Sequence, residues 1–230
     1  MFRRTWKTQM TASERSRGLV FFALYLLVFP YLNAWAQRVI SGDGEPLVAE
    51  ANVLYYALLF TLSLLLFWSF LKRDFQELLN WLPENLFGLV IGLLAAGGLH
   101  LLVRRFPFPV SDPIAAQYAA EYAAAPVPTL VLILLLIPLV EEVLFRGLVF
   151  GNLKDRSRTV AYLVSCLLFA LLHVWQYAVE SRDAAYLLVM VRYLTPGVVL
   201  AWAYEHTGTL WASFGVHAAA NALSVLTMLG

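Results

Sequence analysis

The stretch VPTLVLILLLIPLVEEVLFRGLVF, residues 127–150, decides how this chain is read. It is long enough for a helical membrane span, which needs about 20 mainly apolar residues. Yet Glu141 and Glu142 stand side by side within it. A charge at bilayer depth costs about 2.5–3.5 kcal/mol on insertion scales, so such residues face a protein interior or a water-filled cavity and take a partner. Arg146 follows Glu142 by four residues, which puts both on one helix face. The pair reads first as a functional site and second as ionic glue between helices.

Outward from this stretch the chain stays apolar. Its 230 residues are 61% hydrophobic and 13% charged, where an average soluble domain is about 45–50% apolar and about 25% charged. The expected fold is all-α: a polytopic transmembrane helix bundle, forming a single membrane domain over 1–230. Apolar windows at 18–37, 49–71, 86–103, 127–150, 159–178, 185–204 and 208–229 make seven expected spans, with an eighth or a re-entrant segment as the alternative. The basic start followed by a long apolar run reads as a retained first span and not as a cleaved signal peptide. Ser41-Gly42-Asp43-Gly44-Glu45-Pro46 reads as a turn. Residues 72–83, KRDFQELLNWLP, suit a short amphipathic helix at the interface. Residues 111–126, SDPIAAQYAAEYAAAP, suggest a loop and a short surface helix.

Charge gives an orientation and little else. Arg3, Arg4, Lys7, Arg15 and Arg17 crowd the N-terminus, and Lys72, Arg73, Lys154, Arg156 and Arg158 fall on the same side of a seven-span layout. The bias places the N-terminus in the cytoplasm, with Arg104 and Arg105 running against it. A net charge of +1 makes no case for nucleic acid. The single Cys166 excludes an internal disulfide and any multi-cysteine metal site.

Three pairs at i,i+4 spacing recur in the apolar segments: Glu142 with Arg146, Phe169 with His173, and His217 with Asn221. Each has a bland reading alone, because His and Asn are common interhelical hydrogen-bonding residues in membranes. Together they place carboxylates, imidazoles and an amide on three helices. His100 reads as a snorkelling side chain, His206 as a bystander in a turn, and Arg192 as a partner for Glu141, Glu142 or a substrate carboxylate, a structural pair first. By helix rise, at about 1.5 Å per residue, the three sets meet at one depth only if the helices are tilted, offset or extended.

These pairs also carry a family resemblance. EEVLFR resembles the EExxxR motif of the CAAX prenyl protease 2 / Abi (CPBP) family of intramembrane proteases, FALLH its FxxxH motif and HAAAN its HxxxN/D motif. AYEHTGTLWASFGVHAAANAL is similar to the family's approach to the last motif. The likeness covers about 127–229, which would be the catalytic core, with 1–126 supplying N-terminal helices and interfacial segments. It implies a glutamic-type intramembrane endopeptidase, a hydrolase whose best-known relatives remove the last three residues after a prenylated cysteine. Glu141 would activate water as general base, His173 would share or orient that water, and His217 and Asn221 would stabilise the oxyanion. Glu142 and Arg146 would be structural. Amide hydrolysis needs such a base and such donors, and imidazole and amide groups can both present N–H. No cofactor is required, but Glu141, His173 and His217 also make a plausible zinc set, close to the His₂Glu pattern. The implied partners are a membrane protein or lipidated peptide substrate and the lipid bilayer. A non-catalytic binding or immunity protein of the same fold, and a small transporter, are the rival functions. The first would be expected to lack a motif residue and the second to show an inverted repeat; neither sign is present.

Overall fold

A computed structural model of the chain describes residues 9–41 and 49–229, apart from the side chains of 37, 40, 41, 49, 50 and 229. The turn residues after position 41 and the basic positions Arg3, Arg4 and Lys7 lie outside the described residues. Among the described residues there is no strand. The helices are α1 (Ala12–Leu27), α2 (Phe29–Ser41), α3 (Ala49–Asn80), α4 (Leu82–Val103), α5 (Pro113–Ala124), α6 (Pro126–Lys154), α7 (Arg158–Leu172), α8 (Trp175–Glu180), α9 (Met190–Thr207) and α10 (Leu210–Leu229).

Each of the seven apolar windows falls on helix, which bears out the all-α architecture. The number of spans is coarser. Four helical segments, in α3, α4, α6 and α9 with its leading turn, are long and apolar enough to cross a membrane. The bent pair α1 and α2, at 47°, would make a fifth. The apolar α7 has only 15 residues, and α10 has the length of a span but carries His217 and Asn221. Residues 72–83 are not a separate interfacial helix. Nothing in KRDFQELLN stops a helix, so α3 runs on to Asn80 with one break at Phe67 and ends just before Leu82-Pro83, where proline opens α4.

At the centre lies α6. Two-thirds of its most apolar window, 67%, is buried, against 17–28% for the other three candidate spans. Those outer helices turn large apolar side chains outward, such as Leu54, Leu65 and Leu94. Exposed apolar side chains of this kind suit lipid. Against the core, α4 presents Gly88, Gly92 and Ala96 on one face. The spacing permits close backbone approach: a Cβ on Gly92 would stand 2.5 Å from Val216 Cγ2 of α10.

Polar side chains fix the ends that matter. Thr11 and Glu14 form a capping box at the start of α1. Glu14 also accepts the Phe70 N–H at 2.8 Å, just past the α3 break, and Arg73 at 2.9 Å. Gly208 ends α9 at φ 72°, where a side chain would be strained. Two residues later Asp74 of α3 accepts the Leu210 N–H at 3.0 Å, satisfying an otherwise orphan donor of α10. α10 is thereby started at a fixed depth.

α6 is not uniformly α-helical. Over Leu132–Leu136 and again over Glu142–Phe150 its hydrogen bonds take the wider i→i+5 spacing of a π-helix. Such stretches are rare and occur frequently at functional sites. Glu141 closes the short α-helical turn between them, and Glu142 opens the second wide stretch.

Candidate active site

The two adjacent glutamates have different surroundings. Glu142 and Arg146 are both fully buried. Glu142 Oε2 pairs with Arg146 Nε at 3.4 Å, and Oε1 accepts His217 Nδ1 at 2.9 Å. Arg146 donates to the Gly197 carbonyl of α9 at 3.3 Å and lies 4.5 Å over the Phe169 ring of α7. One ion pair on α6 thus engages α7, α9 and α10.

Glu141 faces the other way. Its Oε1 accepts the Tyr25 hydroxyl of α1 at 3.0 Å. Its Oε2 is buried and receives no hydrogen bond among the described residues. That oxygen lies 3.7 Å from His217 Nε2 and 3.9 Å from His173 Nε2. Both separations exceed a direct hydrogen bond, and both imidazoles point their outer nitrogen at one carboxylate oxygen.

The inner nitrogens fix the tautomers. His173 caps α7, and its Nδ1 lies 2.7 Å from the Phe169 carbonyl. A carbonyl can only accept, so Nδ1 carries the hydrogen. Glu142, held as a carboxylate beside Arg146, likewise takes a hydrogen from His217 Nδ1. In the neutral rings both Nε2 atoms therefore offer lone pairs toward Glu141. Phe169 packs against all of this, with ring centroids 4.7 Å from His173 and 5.5 Å from His217. Tyr193 stacks on the far side of His173 at 4.2 Å and donates to Asp112 at 2.6 Å.

Asn221 is placed differently from the sequence expectation. Its Nδ2 donates to the Ile133 carbonyl of α6 at 3.0 Å. The reason lies in the wide winding there. Ile137 N–H reaches back to the Leu132 carbonyl. In that register the next donor would be residue 138, which is a proline and has no N–H. The amide of Asn221 fills the gap. One of its two Nδ2 hydrogens is so used, and the second makes no hydrogen bond among the described residues.

Tyr25, Glu141, His173, His217 and Asn221 line a cavity of about 520 Å³. The helix expected at the surface, α5, forms part of its wall through Ile114, Ala115, Gln117 and Tyr118. Arg192 also lines it, but pairs with neither glutamate: its guanidinium lies 4.4 Å over Phe108. His100 meets Thr227 at 3.2 Å, and His206 stacks on Trp202. Cys166 is a buried free thiol. Among the described residues no set of His, Cys, Asp and Glu is arranged to hold a metal ion.

The sequence reading missed Tyr25, Tyr193 and Asp112. Tyr25 is 116 residues from Glu141 and sits in an aromatic-rich helix, where tyrosine resembles ordinary packing. Tyr193 adjoins Arg192, the charge that stands out in that apolar segment.

The model of the family described as type II CAAX prenyl endopeptidase, Rce1-like, matches residues 123–223. That range holds all three motifs. A protein of Lactococcus lactis subsp. lactis (strain IL1403), the UPF0177 protein YxdF, is 33% identical over 87 residues, which is 38% of this chain. The aligned part spans 42% of that relative's length. No solved structure matches the chain.

Proposed function

We propose that this chain, which carries an Rce1-like CAAX prenyl endopeptidase segment over residues 123–223, is a metal-independent intramembrane endopeptidase using Glu141 as base. One observation carries the proposal: Glu141 Oε2, unpartnered at the cavity wall, faces His217 Nε2 at 3.7 Å and His173 Nε2 at 3.9 Å. A water in the cavity, seated against these three atoms and not between them, can hydrogen-bond to Glu141 and to an imidazole. As the water oxygen attacks the scissile carbonyl, Glu141 takes its proton and then returns it to the leaving amine. The carbonyl oxygen becomes an oxyanion. His217, whose Nδ1 is held by Glu142, serves it as donor in the form that also carries a hydrogen on Nε2. The second N–H of Asn221 is the other donor. Removing one such donor typically costs about 10²–10³ in turnover.

The substrate class is a membrane protein or lipidated peptide that enters from the bilayer. The layout proposed with it is seven spans with a cytoplasmic N-terminus, 127–229 forming the catalytic core. The zinc alternative would use Glu141, His173 and His217. Its two histidines converge on one Glu141 oxygen from 3.7 and 3.9 Å, and would have to close in around a shared ion.

The test is cleavage of fluorogenic lipidated peptides by the protein in proteoliposomes. Glu141→Gln should abolish cleavage and leave thermal unfolding unchanged. Retained cleavage would move the base elsewhere. Loss of native activity in chelator, restored by zinc, would establish the metal mechanism.

A further inference from the structure

Glu141 has to offer one particular oxygen to the imidazoles, and a glutamate side chain has three rotatable bonds with which to offer the other. Among the described residues no hydrogen bond from α6 reaches the carboxylate to fix the choice. Tyr25, on α1, does. Its ring is 3% exposed, and its hydroxyl donates to Oε1 at 3.0 Å. With Oε1 held, Oε2 is the oxygen presented to His173 and His217. The helix that carries Tyr25 is itself locked. Phe22 meets Phe145 of α6 edge-on at 5.3 Å, and Phe21 meets Phe67 of α3 at 6.4 Å.

We propose that Tyr25 is a positioning residue for the Glu141 base, holding one carboxylate oxygen so that the other faces the reacting water. The inference rests on the assignment of Glu141 as base. It extends the working site beyond residues 123–223, into the first helix of the chain. The hydrogen bond is made in the buried interior, where a carboxylate held by a donor is oriented before substrate arrives. That preorganisation is what general base catalysis requires.

Tyr25→Phe removes one oxygen and keeps the ring. Cleavage of the lipidated fluorogenic peptide should show kcat lowered on the order of tenfold to a hundredfold, the range for one hydrogen bond to a charged group, with KM unchanged. A packing defect would lower the thermal midpoint or raise KM instead. A second measurement needs no activity. With the protein acidified to protonate Glu141, its carbonyl stretch can be isolated by infrared difference spectroscopy against Glu141→Gln. It should move to higher frequency in Tyr25→Phe, because losing a donor strengthens the C=O bond. An unmoved band, or a kcat within twofold of the native value, overturns the proposal. If the native protein cleaves nothing, the proteolytic assignment fails, and the infrared band still decides whether Tyr25 holds the carboxylate.

Discussion

Asn221 offers the sharpest test of how α6 is wound. Alanine in its place removes the donor that reaches the Ile133 carbonyl at 3.0 Å. Interhelical hydrogen bonds inside membranes average about 0.6 kcal/mol, with a maximum near about 1.7. Here the carbonyl has no substitute in its own helix, because residue 138 is proline and Ile137 N–H is committed to Leu132. The cost should therefore fall toward the upper end, about 1.5 kcal/mol. Pro138→Ala supplies the missing N–H. In the Asn221→Ala background it should recover about 1 kcal/mol, a coupling expected only of groups that share a partner. The four proteins of the cycle would be compared by denaturant unfolding in bicelles. Additivity to within about 0.3–0.5 kcal/mol would mean that Ile133 is not the shared acceptor, and the account of the π winding would be wrong. Cleavage gives a separate readout: Pro138→Ala should restore stability to Asn221→Ala and leave its turnover low, since only the side-chain amide can reach an oxyanion.

Two further outcomes follow from buried charge. Glu142→Gln strands Arg146 in a fully buried site and should cost about 3–5 kcal/mol in the same unfolding assay, while the double change Glu142→Gln, Arg146→Met should recover much of it. If Glu142→Gln alone is harmless, the pair is not the brace of the bundle. Glu121, on α5 outside the candidate spans, is held above the ordinary carboxyl range by burial, partly offset by Gln117 and Asn52. Its protonated form is thus favoured by folding, so its contribution is complete below the unfolded carboxyl value and is lost as pH rises through the folded one. Glu121→Gln should be more stable than the native protein at neutral pH, and the advantage should vanish in acid; a pH-independent difference would contradict this.

What could be read from the sequence was what helix periodicity encodes. Glu142 and Arg146 share a face by their spacing, and they do pair. The three motifs lie on three helices that converge, although depth by helix rise looked unfavourable. Extension of α6 to Lys154 brings Glu141 level with His173, whereas His217 lies only seven residues into α10 and meets them because that helix is offset. Hidden from such reasoning was everything that departs from 3.6 residues per turn or joins distant segments. A periodicity argument puts Asn221 beside His217 and stops there. Only the wide winding before Pro138 shows why an amide is needed one helix away. The long reach from Tyr25 to Glu141 has no local signature at all. The expected separate helix at 72–83 failed for a simpler reason: amphipathic sequence marks a change of environment, not an end of helix.

The cavity walls come from two unequal sources. The groups that would handle bonds and protons sit on α6, α7 and α10, whereas much of the surface a guest would touch belongs to α1 to α5, through residues such as Asn33, Asn52, Tyr55 and Gln117. On the proposed reading, chemistry and choice of guest draw on different helices of this architecture. Refitting the first five helices, with Tyr25 kept, would amount to changing the lock while leaving its bolt in place.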